Sequence, residues 1–304
     1  MQIKKVLVLK GGFSAEREVS LVSGSGVCSA LKNCGYEVIE HDLVSAYDLI
    51  DIIKNEKPDV VFNALHGNWG EDGSIQALLD LLQIPYTHSG MQSSLLGMNK
   101  HITKQICIEN GIKTASYENI TFKEFKKKGT SLSYPYVVKP QNDGSSVGVF
   151  IVKNDEDKNQ IFYEDDNREL LVEQFIEGQE ITVSVLEDKA LAVTELKPNT
   201  DFYDYTAKYT NGATTHILPA NIPGDAYQTA MEYALKIHQL LKCNMVSRSD
   251  FRYNTKDGVV FLEINTNPGM TPLSLVPEQA KYVGVSYEEL CKKLVENATC
   301  RKIK

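Results

Sequence analysis

The chain has 304 residues and a formal net charge of −8, with 42% hydrophobic and 24% charged residues. This length predicts two or three domains. The acidic charge argues against a general nucleic-acid-binding protein, and the sequence has no apolar run long enough to cross a bilayer. The six cysteines form no C-x-x-C pair, which favours reduced thiols in a cytoplasmic protein over a zinc site.

Residues 1 to about 95 alternate strands with helices. The predicted strands span residues 5–9, 36–39, 59–65 and 84–86, and the predicted helices span residues 16–33, 48–55 and 74–82. Gly35 is expected to end the first helix, because glycine readily adopts the left-handed conformation found there. This alternation predicts a parallel sheet whose functional residues lie at the carboxyl ends of its strands.

The rest of the chain changes pattern twice. From Met98, a helix at residues 100–110 precedes strands at residues 136–139, 147–152 and 170–173, and the first two strands form a predicted hairpin. From about Glu180, the predicted strands span residues 181–186, 191–197, 245–253 and 259–265, the helices span residues 226–241 and 287–297, and a polar loop spans residues 198–217. The change from parallel to antiparallel style predicts three domains, at residues 1–97, 98–178 and 179–304.

Two oxygen donors, Glu263 and Asn265, lie two residues apart on the last predicted strand. Side chains at i and i+2 of a strand point the same way, and a hairpin would bring Asp250 onto the neighbouring strand. Mg²⁺ accepts carboxylate and amide oxygens and completes its octahedron with water and phosphate. Solvated acids at a strand end are the alternative. The apolar run at residues 259–262 favours the metal site, because it places Glu263 at the edge of a buried strand.

A loop rich in glycine and serine, residues 142–148, joins the two strands of the predicted central hairpin. Its successive backbone N–H groups can bind phosphate oxygens, although the sequence does not match a P-loop. An ordinary turn is the commoner structure for such a loop. Lys139 ends the preceding apolar strand and would place an ammonium group beside the phosphates, which favours a phosphate site.

Three further residues allow both a structural and a functional interpretation. Glu16 follows a glycine-rich turn that is not G-x-G-x-x-G, and its carboxylate either favours the helix dipole or pairs with a substrate ammonium group. His66 follows a buried strand, where it belongs to a polar loop or contacts a ligand. Arg248 shares a strand face with Asp250, so it forms an ion pair with that carboxylate or holds a phosphate or an oxyanion.

Taken together, these motifs resemble those of the D-alanine–D-alanine ligase family of the ATP-grasp superfamily. They are G-F-S-A-E-R-E-V-S-L at 12–21, H-G-x-x-G-E-D-G at 66–73, G-S-S-V-G at 144–148, A-K-Y at 207–209 and E-x-N-T-x-P-G-M-T at 263–271, continued by S-L-V-P at 274–277. The resemblance covers the chain from Gly11 to about Leu290. It implies a three-domain ATP-grasp fold of α/β and α+β class, with a parallel-sheet βαβ domain first and the nucleotide between the central and C-terminal domains.

The resemblance also implies a nucleotide and metal site. Lys100 and Lys139 would contact the ATP phosphates, and Lys208 would also meet the nucleotide. The adenine hinge would consist of Glu173, Gln174, Phe175 and Ile176, with Glu180 on the ribose hydroxyls. Asp250, Glu263 and Asn265 would hold two Mg²⁺ ions, for which Mn²⁺ could substitute, and a monovalent cation is a further candidate ligand.

For the substrates, the resemblance implies two amino-acid subsites. Glu16 would bind the ammonium group of the first D-alanine, with His66 nearby, and Ser274 and Leu275 would take the carboxylate of the second. Arg248 and the N–H of Gly269 would hold the developing oxyanion. Glu16, Ser145 and Tyr209 would form a hydrogen-bonded latch that closes the loop around residues 200–215. Tyr209 favours an amine acceptor over D-lactate.

The implied function is ATP-dependent ligation of two D-alanine molecules through an acyl phosphate, in peptidoglycan precursor synthesis by a cytoplasmic homodimer. Another ATP-grasp ligase and a nucleotide-binding regulator are the alternatives, and the intact set of Asp250, Glu263, Asn265 and Arg248 argues against the regulator. The chain departs from the family pattern at Asn99, usually aspartate, and at Ser247, usually glycine. We expect Ser247 to narrow the space near the acyl phosphate.

Overall fold

The first of three β-sheets lies at the start of the chain and is parallel. The computed structural model describes residues 3–145, 147–199 and 212–302. Strand β1 (Lys5–Gly11) lies between β2 (Glu37–Leu43) and β3 (Val60–Asn63) and pairs in parallel with both. The helices of this part are α1 (Arg17–Asn33), α2 (Ala46–Glu56), α3 (Ser74–Leu82) and α4 (Met91–Met98). The predicted parallel sheet is therefore confirmed, whereas α4 was not predicted.

The strand predicted at residues 84–86 is reduced to isolated bridges. Tyr86 pairs with Val61 and, on its other side, with Thr299. Pro85 has no N–H to donate, and its carbonyl oxygen accepts a hydrogen bond from Val61 N at 2.9 Å. A strand interrupted by proline is confined to a short edge contact, so the prediction of a full strand was wrong.

The second sheet is antiparallel and has the strand order β4-β7-β5-β6. Its strands are β4 (Tyr117–Thr121), β5 (Tyr136–Pro140), β6 (Phe150–Val152) and β7 (Glu169–Gln174), accompanied by helices α5 (Lys100–Glu109), α6 (Phe122–Lys128) and α7 (Asp155–Asn159). The predicted central hairpin is the β5–β6 pair, although β6 begins at Phe150. Sequence patterns missed β4, α6 and α7, which are short elements with one apolar face or none.

The third sheet is also antiparallel, with the order β10-β9-β8-β11-β12. Its strands are β8 (Gln179–Leu186), β9 (Lys189–Pro198), β10 (Thr214–Ile217), β11 (Val246–Asn254) and β12 (Gly258–Asn265), and its helices are α8 (Gly224–Leu240), α9 (Leu275–Tyr282) and α10 (Tyr287–Glu296). The segment predicted as a loop at residues 198–217 therefore ends in a strand, because Thr214–Ile217 pairs with β9. Helix α9 was not predicted.

The last helix packs against the first helix. Leu290 and Leu294 of α10 are fully buried in one apolar cluster with Val27 and Leu31 of α1. The three sheets fall within residues 5–63, 117–174 and 179–265, which supports the proposed division at 97 and 178. The core of the first part nevertheless draws side chains from the end of the chain. Within the described residues, no helix combines the length and apolarity needed to span a membrane.

Candidate active site

A β-bulge in the β11–β12 hairpin directs the polar side chains of the third sheet. Asp250 lies opposite Glu263, and Arg248 lies opposite Asn265, so these four side chains share one face. The pairing then shifts, and Phe251 lies opposite Phe261. A bulge places an extra residue in one strand and re-aims its neighbours. Phe261 consequently packs on Phe251 in the core, with ring centroids 5.8 Å apart, while Glu263 stays on the polar face.

Two clefts meet on that face. The first, of about 920 Å³, is lined by residues of all three parts of the chain, including Glu16, His66, Lys100, Gly144, Ser145, Arg248, Glu263, Asn265, Gly269, Ser274 and Leu275. The second, of about 790 Å³, is lined by residues including Lys100, Lys139, Glu173, Gln174, Phe175, Ile176, Glu180, Asp250 and Glu263. Lys100 and Glu263 therefore border both clefts. The described residues singled out from the sequence are thus brought together at one composite site.

Lys100 ties three elements together at this border. Its Nζ lies 3.3 Å from Glu263 Oε2 and donates a hydrogen bond of 2.6 Å to the carbonyl oxygen of Asp143. Asp143 belongs to the glycine-rich loop, and its carboxylate forms an ion pair with Arg168. The ammonium group on α5 therefore connects the loop to the carboxylate at the end of β12.

A buried cluster of charges forms the wall of the second cleft. Glu173 is 3% exposed and lies between two lysines, with Oε1 2.5 Å from Lys139 Nζ and Oε2 2.8 Å from Lys104 Nζ. The Lys104 ammonium meets Oε2 as an ion pair without hydrogen-bond alignment. Burial alone would raise the pKa of Glu173, but the two lysines outweigh it and lower that pKa to about 2. The carboxylate is therefore ionised, with a cation on each side.

Lys104 was not singled out from the sequence. It is fully buried, and burial lowers its pKa despite the attraction of Glu173. It lies one helical turn after Lys100, so both lysines share a face of α5. The spacing of four residues between two lysines, in a helix that precedes the predicted nucleotide-binding strands, could have indicated that Lys104 belongs to the site.

The residues that the resemblance assigns to an adenine hinge lie at the end of β7. The Gln174 side chain is held in place by a hydrogen bond, in which its Nε2 donates to the carbonyl oxygen of Pro135 at 2.7 Å. Phe175 N donates to the same oxygen at 3.2 Å. Glu180 forms an ion pair of 3.0 Å with Arg252. The hinge is thus fixed to the chain before β5.

The glycine-rich loop reaches across the first cleft to helix α1. Ser145 has a positive φ of 52°, which is uncommon for a residue with a side chain and typical of functional loops. Its hydroxyl donates a hydrogen bond to Glu16 Oε1. Ser146 lies outside the described residues, as do Lys208 and Tyr209. Two members of the predicted latch are therefore in contact.

Glu16 stands at the start of α1 but does not cap it with its side chain. The carboxylate, on a residue 7% exposed, faces the cleft instead. Gly67 has a positive φ of 66°, and a Cβ there would lie 2.8 Å from Glu16 Oε2. The absence of a side chain at Gly67 thus leaves room for the Glu16 carboxylate. An interaction of Glu16 with the helix dipole alone would not require this space.

His66 belongs to a buried hydrogen-bonded chain. Its Nδ1 lies 3.1 Å from Glu71 Oε1, and its Nε2 lies 3.0 Å from Ser23 Oγ. Ser23 Oγ also accepts a hydrogen bond from Met270 N at 3.3 Å. Burial raises the pKa of Glu71. Sequence reasoning did not find Ser23, which links the histidine to the residue after Gly269.

Arg248 forms an ion pair with Asp250, as the structural interpretation of this residue predicted. Its Nε donates to Asp250 Oδ1 at 3.0 Å and its terminal nitrogen donates to Oδ2 at 2.9 Å. Thr182 Oγ1 also donates to Oδ1, at 2.6 Å. The guanidinium still lines the first cleft, so the ion pair holds it at the site.

The turn after β12 brings Gly269 against Ser274. A Cβ on Gly269 would lie 2.8 Å from Ser274 Oγ. That oxygen accepts a hydrogen bond from Thr271 N at 2.9 Å, and Ser274 directly precedes α9. The backbone of the turn and the start of a helix therefore face the same space in the first cleft.

The donor set suits a magnesium ion. Hydrogen bonds occupy three of the roughly four lone-pair positions on the Asp250 carboxylate, which leaves one for a metal. Glu263 and Asn265 add two oxygens from the same sheet face. No three His, Cys, Asp or Glu side chains cluster as metal ligands in the described ranges. A metal here needs the Asn265 amide and phosphate oxygens, which is how Mg²⁺ is usually held.

Comparison with known proteins assigns the chain to a family over most of its length. Residues 40–89 match the family model described as D-ala D-ala ligase N-terminus, and residues 106–296 match the D-ala D-ala ligase C-terminus. A D-alanine–D-alanine ligase of Zymomonas mobilis is 50% identical over 304 residues, covering 97% of this chain and 94% of the relative. The chain belongs to the D-alanine–D-alanine ligase family. It is therefore an enzyme, and the resemblance inferred from the motifs is confirmed.

Solved structures of the family share the fold. A D-alanine–D-alanine ligase of Bacillus anthracis complexed with ATP superposes with a TM-score of 0.82 at 32% identity, over 98% of this chain and 97% of that one. VanG D-Ala:D-Ser ligase from Enterococcus faecalis superposes with a TM-score of 0.79 at 29% identity, over 97% of this chain and 99% of that one. The ATP-grasp fold predicted from the sequence is confirmed.

The two departures from the D-alanine–D-alanine ligase pattern have separate explanations. Asn99 caps α5, and its side chain accepts a hydrogen bond from Ile102 N at 2.9 Å, which an aspartate would do equally well. Ser247 is fully buried on the opposite face of β11, where its hydroxyl lies 2.8 Å from His238 Nδ1 on α8. The expectation that Ser247 narrows the active site was wrong, because its side chain points away from the cleft.

Proposed function

We propose that the two clefts together catalyse one reaction in two steps, the ATP-dependent ligation of two D-alanine molecules. In the first half a D-alanine carboxylate attacks the γ-phosphate of ATP, giving D-alanyl phosphate and ADP. In the second half the amine of another D-alanine attacks the acyl carbon, and phosphate leaves. The shared border of the clefts carries this proposal, because Lys100 and Glu263 lie where the γ-phosphate in the second cleft must meet the D-alanine carboxylate in the first.

The second cleft suits ATP. Glu173 presents an ionised carboxylate beside the hinge, which accepts a hydrogen bond from the amino group of adenine and disfavours the carbonyl oxygen of guanine. Phe175 and Ile176 supply apolar surface for the base, and Glu180 lies within the same cleft for the ribose hydroxyls. Lys139 and Lys100 place ammonium groups along the path of the phosphates. Lys208 joins them by family resemblance.

Asp250, Glu263 and Asn265 would hold the magnesium ions that the family uses, with Mn²⁺ as a substitute and a monovalent cation as a further proposed ligand. When bound, these ions neutralise charge on the transferred phosphoryl group. The protein contributes positioning as well. Lys100 bridges the loop carbonyl of Asp143 and the Glu263 carboxylate, which fixes the glycine-rich loop above the phosphates.

The first D-alanine binds beside α1 in this proposal. Its ammonium group pairs with Glu16, whose orientation is set by the hydroxyl of Ser145. His66 lies on the same wall, held by Glu71 and Ser23. Tyr209 completes the latch by resemblance and closes the loop around residues 200–215, which excludes water from the acyl phosphate.

The second D-alanine binds where the turn after β12 meets α9. Its carboxylate lies against Ser274 and Leu275 at the start of that helix, where unpaired N–H groups favour an anion. Arg248 and the N–H of Gly269 stabilise the tetrahedral oxyanion, and one such donor is worth about 3 kcal/mol. The product serves peptidoglycan precursor synthesis in the cytoplasm, and we propose a homodimer.

Product analysis tests the proposal. The purified protein is incubated with ATP, Mg²⁺ and D-alanine, ADP release is followed, and the product is identified by mass spectrometry. We expect D-alanyl-D-alanine, with much slower ADP release on L-alanine. Parallel reactions add D-serine or D-lactate as a competing acceptor. A mixed product that outweighs the D-alanine dipeptide would overturn the acceptor assignment, and absence of D-alanine-dependent ADP release would overturn the ligase.

A further inference from the structure

A single buried amide joins α9 to the third sheet. Gln279 is fully buried. Its Oε1 accepts a hydrogen bond from Ser184 N at 2.8 Å, and its Nε2 donates to the carbonyl oxygen of Thr182 at 3.2 Å and to Thr194 Oγ1 at 3.0 Å. The three partners lie on β8 and β9, so one side chain forms hydrogen bonds with two strands of the sheet.

The amide fills a gap in the strand pairing. The β8–β9 register shifts between Val183 and Val185, which leaves Ser184 in the irregular position. Its N–H is bonded by Gln279 instead of by a strand. A buried N–H without a partner costs about 1–3 kcal/mol. Gln279 thus satisfies a buried N–H of the sheet in addition to attaching the helix to it.

Gln279 also fixes how α9 is turned about its axis. Val276 and Ala280 of this helix pack into the apolar cluster of α1 and β1. Leu275 packs on Leu196 of β9, on the side of the helix that carries Gln279. Apolar contacts tolerate small rotations, whereas three directional hydrogen bonds do not. An eight-residue helix has little stability of its own, so its orientation depends on these contacts.

The hydrogen bonds continue to the reaction centre. Thr182, whose carbonyl oxygen accepts from Gln279, donates its hydroxyl to Asp250 Oδ1 at 2.6 Å. Asp250 in turn holds Arg248. Two residues therefore separate α9 from the guanidinium that faces the first cleft.

We infer that Gln279 is a positioning residue for the acceptor subsite. It sets the place of Ser274 and Leu275, which take the acceptor carboxylate, relative to Arg248, beside which the new bond forms. The inference rests on the proposed function. It assigns no direct role to Gln279 in ATP binding or in acyl phosphate formation, because none of the three residues that bond its amide lines the second cleft.

Hydroxylamine separates the two halves of the reaction. It attacks the acyl carbon of D-alanyl phosphate and gives D-alanyl hydroxamate and phosphate, and it has no carboxylate to place at α9. In Gln279→Met we expect the acceptor KM for D-alanine to rise about tenfold or more, the size of one misplaced charge-assisted contact. We expect hydroxamate formation and the KM for ATP to stay within about twofold of the unaltered enzyme.

Milder variants protect the test against misfolding. Thr194→Val removes one of the three hydrogen bonds and should raise the acceptor KM by a smaller factor, whereas Thr194→Ser keeps the bond and should restore it. Ser247→Ala, which removes a buried hydrogen bond on the opposite face of β11, should leave the acceptor KM unchanged at a comparable loss of melting temperature. Equal loss of dipeptide and hydroxamate in Gln279→Met or Thr194→Val would overturn the inference. Absence of hydroxamate with the unaltered enzyme would instead overturn the proposed function.

Discussion

Lys100 Nζ lies 3.3 Å from Glu263 Oε2, and this ion pair lies at the shared border of the first and second clefts. Lys100 lies on α5, which accompanies the second sheet, and Glu263 lies on β12, which is a strand of the third sheet. Their contact keeps the two clefts in a fixed relation. In the proposed reaction, the phosphoryl group of the nucleotide in one cleft would therefore meet the carboxylate of the D-alanine in the other.

Glu263→Gln should reduce turnover much more than stability. The Glu263 side chain is 28% exposed, so its ion pair contributes about 1 kcal/mol or less to folding. Loss of the negative charge should weaken metal binding and lower kcat by about 100-fold or more. Steady-state kinetics over a Mg²⁺ titration, together with urea unfolding, measure both effects. Glu187→Gln, which removes an exposed partner of Lys293, is the matched control and should change neither. Equal losses of turnover and stability in Glu263→Gln would contradict the metal role.

Lys104→Met should destabilise the fold and weaken ATP binding. The variant leaves Glu173 with Lys139 as its remaining lysine partner, so the loss of stability should be smaller than the cost of an uncompensated buried charge, which is about 3–5 kcal/mol. Urea unfolding and the KM for ATP report the change. Adding Glu173→Gln should recover neither the stability nor the KM, because Lys139 then loses its ion-pair partner and remains as a buried charge. Full recovery of both would show that Glu173 does not contact the nucleotide.

Acid should destabilise the protein below about pH 6.5, partly through His238. Burial lowers the pKa of His238 to about 4, so the folded state keeps this ring neutral while the unfolded state takes up a proton. Stability is therefore full above the unfolded pKa and falls as the pH drops toward 4, by up to about 3 kcal/mol. Urea unfolding at pH 7 and pH 4.5 should show a smaller difference for His238→Asn than for the unaltered protein. An unchanged difference would assign the effect to other groups.

Gly269→Ala should impair the acceptor subsite. The added methyl group would lie 2.8 Å from Ser274 Oγ, so the serine must move away from Thr271 N. We expect a rise of about tenfold in the acceptor KM together with a lower kcat, because the adjacent N–H is proposed to meet the oxyanion. Gly224→Ala is the control, since a Cβ there meets nothing within 4 Å. A Gly269→Ala enzyme with unaltered kinetics would remove this turn from the mechanism.

The sequence revealed most of the site because its residues follow strands and turns at short spacings. Glu263 and Asn265 could be placed on one face by counting two residues. The bulge that separates Phe261 from Glu263 could not be foreseen, because an unbroken alternation would have put both side chains on the same face. Ser247 was misjudged for a related reason. Its neighbour Arg248 faces the cleft, and alternation along β11 sends Ser247 to the buried helix α8.

Long-range partners account for the remaining omissions. Lys104 looks like an ordinary helix lysine until β7 places Glu173 beside it. Gln279 lies 95 residues from Ser184 in the chain, and no local pattern predicts a buried glutamine that completes a distant strand. Helix α9 itself lacks a strong periodic signal. Such features depend on how the sheets pack, which a single sequence does not specify.

The packing of α10 on α1 has a consequence for biosynthesis. Leu290 and Leu294 complete the apolar cluster that Val27 and Leu31 begin, so a nascent chain that has emerged only as far as residue 280 exposes that surface of its first helix. A helix that is synthesised before the rest of this core is thus among the last to be covered. A chaperone that binds exposed leucine-rich surface would find its target on α1 throughout most of translation.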